Sequence, residues 1–191
     1  GVHSLQRFVM SVSAFDEAER FYRAFGLDVR RAGGVLELRA YGDPHCWGVI
    51  HGNGEPKRLQ FLTFGVFADD ADAFAARIAK HGAKREPHPL GTRDGMWLAD
   101  ADGVAIQLVV ASNVSPAAKP APDAPPPVPP GKGAAPARSR AEPVRPRRLS
   151  HVLRFTPDVM RMVRFCTDVL GLRLTDHSGD VIAFTHALHG S

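Results

Sequence analysis

Nine histidines and two cysteines hold most of the metal-binding and proton-moving chemistry open to this 191-residue chain. Imidazole ligates transition metals and also exchanges protons near neutral pH. His151 stands near the start of a strand-like run over 149–156, in the order His-x-x-x-Phe. It reads either as a metal ligand or as a buried or half-exposed strand histidine. His186 and His189 close the run Phe184-Thr185-His186-Ala187-Leu188-His189. A period of two puts Phe184, His186 and Leu188 on one face and His189 on the other, so both histidines line one pocket only if the strand carries a bulge. His45-Cys46-Trp47 occupies a comparable strand position earlier in the chain and reads as structural. His177, in Asp176-His177-Ser178-Gly179, reads as an exposed turn residue. One imidazole suits iron, zinc, nickel or manganese equally and does not make a metal site alone. Cys46 and Cys166 lie far apart in unrelated contexts, which is neither a disulfide framework nor knuckle spacing. They read as ordinary buried thiols in a reducing, cytoplasmic setting.

The elements that must position these side chains recur along the chain. A first strand over 5–12 leads to a helix capped by Asp16, with Ala18, Phe21, Tyr22 and Phe25 at helical spacing and Gly26 as a left-handed stop. Strands over 27–31, 35–40 and 45–51 follow, separated by Gly33-Gly34 and Gly42-Asp43-Pro44. The second unit repeats the order with a strand over 59–67 and a helix opened by Asp69 or Asp70. That helix presents Ala71, Phe74 and Ile78 and stops at Gly82. Strands over 95–99 and 104–110 come next, joined at Asp100-Ala101-Asp102-Gly103. A third unit starts with the run over 149–156. Pro157-Asp158 then opens a helix carrying Val159, Met162, Val163, Cys166 and Val169, Gly171 closes it, and strands follow over 172–175 and 181–188. An offset of 144 lays Leu149 on Leu5, His151 on Arg7 and Phe165 on Phe21. The expected class is α+β, built of βαβββ units. Two of them, over 1–54 and 55–111, pair as an N-terminal domain, and a third occupies 149–191. A single unit curls without enclosing a core, so the third needs a partner. The expectation is that further sequence beyond Ser191 supplies it, as the missing initiator Met also hints at a fragment; pairing with another chain is the alternative.

Net charge is +4, and its location decides what it means. Residues 112–148 hold seven basic and two acidic residues, a local charge of +5 that leaves −1 for the remainder. The same tract holds 11 of the 16 prolines and no aromatic residue for base stacking, so it reads as a mobile, solvated linker rather than a nucleic-acid-binding tail. No apolar run approaches the roughly 18 residues that cross a membrane, and the first residues have no leader pattern.

Three motifs recur in the right order: Leu149-Ser150-His151-Val152 opening a strand, Phe165-Cys166-Thr167-Asp168-Val169-Leu170-Gly171-Leu172 closing a helix, and Asp100-Ala101-Asp102-Gly103-Val104-Ala105-Ile106-Gln107-Leu108 ending a unit. Together they resemble the vicinal oxygen chelate superfamily of glyoxalases, bleomycin-resistance proteins and extradiol dioxygenases. The two-domain extradiol enzymes are the most similar in arrangement. The resemblance implies paired units round a concave sheet, with metal ligands on the first and last strands of a pair. It makes residues 1–111 a metal-free domain, because Arg7 and Gln107 stand at ligand positions and the stretch over 59–61 offers no ligand. His151 matches the first ligand, and the remaining His and Glu would lie in a fourth unit. His186 and His189 fall where the family places substrate-contacting and acid/base histidines. The implied activity is ring cleavage of a catecholic substrate by dioxygen at Fe(II), with Mn(II), Zn(II) or Ni(II) as alternatives, in a possible homo-oligomer that binds neither nucleic acid nor membrane. A non-catalytic small-molecule-binding module and a glyoxalase-like metal lyase or isomerase are the other readings.

Overall fold

Alternating apolar residues set the strands, and apolar residues at helical spacing set the helices that cover one face of them. The computed structural model describes residues 1–114 and 145–188. The first unit comprises β1 (Ser4–Ser11), α1 (Phe15–Ala24), β2 (Asp28–Ala32), β3 (Val35–Arg39) and β4 (Cys46–His51). The second comprises β5 (Arg58–Val66), a 3-10 turn (Ala68–Asp70), α2 (Ala71–Lys80), β6 (Met96–Ala99) and β7 (Ala105–Val110). After the 112–148 tract come α3 (Val159–Asp168), β8 (Arg173–Ser178) and β9 (Ile182–His186). Among the described residues no helix is long and apolar enough to cross a membrane.

The first two units share one seven-stranded sheet in the order β2-β3-β4-β1-β5-β7-β6. Each unit lays its last strand parallel to its first, β4 beside β1 and β7 beside β5. The two first strands then join antiparallel, with Phe8 opposite Leu62 and Val9 opposite Phe61. In the second unit the segment directly after the helix forms one bridge, Lys84 to Leu98, where the first unit has β2. Pro87 and Pro89 follow Lys84 and have no N–H to give a ladder.

Helix α1 turns Phe15, Ala18 and Tyr22 onto Val12, Val29, Leu36, Leu38 and Ile50. Helix α2 sets Phe74 and Ile78 on Val66, Leu98, Ile106 and Leu108. Asp16 does not cap α1. It lies inside the first turn, where no side chain caps the helix, and its carboxylate pairs with Arg31 at 2.7 Å. Asp158 does cap α3, accepting from the Arg161 N–H at 2.8 Å. The glycine stops adopt left-handed φ, +94° at Gly26, +61° at Gly82 and +68° at Gly171, where a Cβ would be strained.

The third unit is not a repeat of β1 at its start. Residues 149–156 form no ladder among the described residues, whereas β1 is flanked on both sides by β4 and β5. Of the unit's strands only the β8–β9 hairpin is paired, and it extends through His177, which is a strand residue opposite Ala183 rather than a turn residue. The unit is anchored through α3 and the residues after it. Val169 and Leu170 enter the α2 core, Val2 donates to the Leu170 carbonyl at 3.0 Å, and Leu188 donates to the Val2 carbonyl at 3.1 Å. Arg161 pairs with Asp102 at 2.8 Å, and Arg154 pairs with the buried Asp100 carboxylate. That carboxylate also receives the Asp102 and Val104 N–H groups, each at 2.9 Å, so one buried charge fixes both the β6–β7 turn and the docked unit. Residues 115–144, most of the expected linker, lie outside the described residues. Its two ends touch the folded part: Ser112 accepts from Gln6 at 3.2 Å, and Arg145 stacks over Tyr41 at 4.2 Å.

Phe74 is fully buried where α2, the sheet and the third unit meet. Phe74→Ala should destabilise the protein by about 3–5 kcal/mol. Chemical denaturation checks this, and a loss confined to a few tenths would mean that Phe74 is not packed in this core.

Candidate functional site

Pairing of β1 with β5 and of β5 with β7 brings the first-strand and last-strand positions of the N-terminal pair onto one rung. Arg7 lies opposite Thr63, and Thr63 lies beside Gln107. Thr63 donates its hydroxyl to Gln107 Oε1 at 3.1 Å. Gln107 Nε2 donates to Thr92 Oγ1 at 3.1 Å and to the Asp94 carbonyl at 3.0 Å. The amide is thus buried with both ends engaged, a structural role rather than that of a ligand. Arg7 keeps a buried Nε without a partner, and a guanidinium has no lone pair for a metal.

Residues 84–95 roof the second unit's half of this face. Trp97 donates to the Thr92 carbonyl at 3.0 Å and meets Phe61 edge-on at 5.0 Å, with Val9, Ala105, Val49 and Leu90 packed around them. His88 lies 5.3 Å from the Phe61 ring and accepts from the Leu90 N–H at 3.2 Å. Burial lowers its pKa, helped by Arg85 and Arg58, and burial also lowers that of His51. His45 donates to the Gln6 carbonyl at 2.7 Å and stands edge-on to Trp47, a local brace.

In the third unit His151 is exposed, beside Leu153 and Phe155, which are 75% and 90% exposed. His186 is half-buried on β9 and donates Nδ1–H to the Ala187 carbonyl at 2.8 Å. His189 lies outside the described residues. His177 donates Nδ1–H to the Gly179 carbonyl at 3.1 Å. No group of three or more His, Cys, Asp or Glu side chains among the described residues is placed to hold a metal. The thiols are half-buried and unreactive in character. Burial pushes Cys166 up to about 11 and raises Cys46 as well.

One polar centre escapes sequence reasoning. His3 is buried against Phe67, and its Nε2–H donates to the Ala111 carbonyl at 3.0 Å. In the neutral ring Nδ1 then receives the Ser4 hydroxyl at 2.9 Å, and Ser4 Oγ accepts from Gln6 at 2.9 Å. The network ties the start of the chain to the exit of β7. Its only sequence sign is a run of polar residues, His3, Ser4 and Gln6, at the head of a strand otherwise committed to the core.

No family model matches the sequence. The chain is 43% identical over 191 residues to metapyrocatechase 2 of Cupriavidus necator, covering all of this chain and 59% of that protein. The fold matches the Mn(II)-bound glyoxalase of Novosphingobium aromaticivorans at a TM-score of 0.69, with 24% identity over 99% of this chain and 60% of the other. It also matches BphC, a halotolerant catechol dioxygenase, at a TM-score of 0.67, with 16% identity over 97% of this chain and 61% of the other. The chain therefore spans about three fifths of the length of each of these relatives.

Gln107→Glu should not create a metal site. It removes two donated hydrogen bonds and sets a carboxylate against the Asp94 carbonyl, a cost of about 1–3 kcal/mol. Burial should raise the new carboxyl's pKa in the folded state, so the deficit is smallest below the ordinary carboxyl range and widens as pH rises through it. Melting curves at several pH values, with metal analysis, check both points. A second expectation concerns His51 and His88. Because their folded pKa values lie below the ordinary 6.5, the unfolded chain takes up protons first, so stability present above that value is lost as pH falls below it. His88→Gln should shrink that loss in a pH series of melting temperatures.

Proposed function

We propose, from the premise that this chain belongs to the vicinal oxygen chelate superfamily, that it forms the scaffold pair and the first-ligand unit of an extradiol ring-cleavage dioxygenase acting on a catecholic aromatic compound. The single observation that carries the proposal is the 43% identity to metapyrocatechase 2 across all 191 residues, on both sides of the 112–148 tract. The catechol dioxygenase among the fold matches supports the same reading.

The described residues do not by themselves fit a complete metal centre, since they bring no three ligands together. The chain's own contribution is an imidazole and a frame. At the unit offset His151 takes the place of Arg7, the β1 residue that shares a rung with Thr63 and Gln107. A second pair built to the same register would set His151 on a rung with the first and last strands of its partner unit. Two further ligands, a histidine and a carboxylate, would complete the facial arrangement that suits Fe(II), with Mn(II), Zn(II) or Ni(II) as alternatives. His186 has Nδ1 engaged by Ala187, which leaves Nε2 as the atom able to move a catechol proton once a partner unit presents the substrate. His189 is the other candidate for that proton.

A second reading has one specific observation behind it. Arg7 and Gln107, which the resemblance sets at the ligand positions of the N-terminal pair, share a rung with Thr63 and bring it no imidazole or carboxylate, which supports a pair that binds a ligand without metal chemistry, as a module of the bleomycin-resistance kind would.

Taken alone, the 191-residue chain should bind Fe(II) weakly and cleave no catechol. Assembled with a partner unit for residues 149–188, it should hold iron and consume oxygen with a catechol. His151→Ala should then abolish both, while His177→Ala should leave them within about twofold, because loss of a ligand also frees the others. Metal content and oxygen uptake decide the matter. Full iron and undiminished uptake in His151→Ala would move the assignment to the binding module.

A further inference from the structure

Two of the three buried side-chain atoms that have no hydrogen-bond partner among the described residues are guanidinium nitrogens, Nε of Arg7 and Nε of Arg39. Both belong to the sheet face that carries no helix. Phe8 and Leu38 point into the α1 core, so the neighbouring Arg7 and Arg39 turn to the other side, where Arg39 joins Glu37 at 2.7 Å. Strand β4 runs between them. Phe8 pairs with Gly48, which sets Trp47 beside Arg7, and Cys46 pairs with Arg39. Burial raises the Cys46 thiol, and Arg7 and Arg39 oppose that rise while Glu37 adds to it, so both cations stand close to one point. Their charges are met differently. Arg39 shares its own with Glu37, whereas Arg7 has neither an ion pair nor a hydrogen bond among the described residues, although it is only partly exposed. A charge withdrawn from water without a counter-charge is costly. The rung supplies none, because Thr63 and Gln107 are uncharged and bonded to each other. The first unit's half of this face is open, unlike the roofed half, and Glu37 keeps 44% of its side chain exposed there.

We propose that Arg7 anchors a binding site for a small organic acid that carries one carboxylate on an apolar, ring-sized body, with the Nε–H of Arg39 as a further donor. The proposal rests on the reading of the N-terminal pair as a ligand-binding module without metal, and it names the class of ligand. Nε–H and one Nη–H of a guanidinium form the parallel donors that a carboxylate accepts side-on, which would satisfy the buried nitrogen and neutralise the charge together. One unmet cation calls for one negative charge, which favours a carboxylate over a doubly charged phosphate. Val49, part-buried beside Val9 and Trp47, offers the apolar body a surface.

Isothermal titration of the 191-residue chain with sodium benzoate, at constant ionic strength, tests this, with benzamide and phosphate as comparisons. Benzoate should bind at one site. Benzamide has the shape without the charge and phosphate the charge without the ring, and each should bind about tenfold more weakly or worse. Arg7→Gln should weaken benzoate about tenfold or more, Arg39→Gln should weaken it less, and Arg20→Gln, at an exposed position of α1, should change nothing. Because Arg7→Gln removes an unpaired charge, its melting temperature without ligand should be no lower than that of the wild type, while the rise that benzoate gives the wild type should vanish. Arg7→Lys keeps the charge and loses the side-on pair, so it should fall between the two, which keeps the test open if the glutamine variant misfolds. Absence of benzoate binding, equal binding of benzamide or phosphate, or binding indifferent to Arg7 would overturn the proposal. Metal analysis of the same samples separates the two readings: transition metal that Gln107→Ala removes would fail the metal-free reading of the pair, whereas a metal-free chain that ignores benzoate fails only the proposed ligand.

Discussion

The antiparallel junction of β1 with β5 is the constraint on which the rest of the N-terminal pair depends. Each unit alone is a curled half-sheet with one helix on its back. Joining the two first strands makes one sheet of seven, sends α1 and α2 to the same face, and leaves the other face to Val9, Phe61 and Trp97. The side-chain period of a strand is two, so a slip of one residue at this junction would turn Val9 and Phe61 toward the helices and Phe8 and Leu62 away from them. The register also settles which residues can cooperate. Arg7, Thr63 and Gln107 share a rung although 100 residues separate the first from the last.

The same logic accounts for the different state of the third unit. Its helix and hairpin form, since their contacts are local, but its first strand has no neighbour among the described residues. Residues 149–156 expose Leu153 and Phe155 instead of burying them. What holds the unit is borrowed from the other two: Val2 of the first bridges Leu170 and Leu188 through its backbone, and the buried Asp100 carboxylate of the second receives Arg154. A buried carboxylate left without its cation would be costly, and two turn N–H groups share in stabilising it. The docking is therefore specific at its polar points and apolar at Val169 and Leu170.

Local chemistry was the legible part of the sequence. Helical spacing located all three helices, Gly26, Gly82 and Gly171 marked their ends, and the turn from Asp100 to Gly103 was readable from its residues alone. Asp16 misled because a short acid near a helix start serves equally as a first-turn residue paired to Arg31, and only the position of Arg31 on β2 decides. Residues 149–156 have the composition of a strand, but a strand exists only with a partner, and pairing is not a local property. Thr63 and His3 stayed hidden for the same reason. Thr63 matters because Gln107 lies beside it, and His3 because Ala111 returns to it.

The rung also shows how a polar side chain is buried in the sheet without a charge. A carboxylate at Gln107 would need a cation or a donor on every side. The amide instead accepts from Thr63 and donates to the Thr92 hydroxyl and the Asp94 carbonyl, the second an acceptor that a carboxylate would repel. Those bonds draw the 84–95 segment down over Trp97 and Phe61, so the amide goes together with a filled face. Arg7 brings a fixed positive charge to the same rung, opposite Thr63. At the unit offset from Arg7 stands His151, exposed on a segment that forms no rung among the described residues, because a rung needs a strand partner beside residues 149–156.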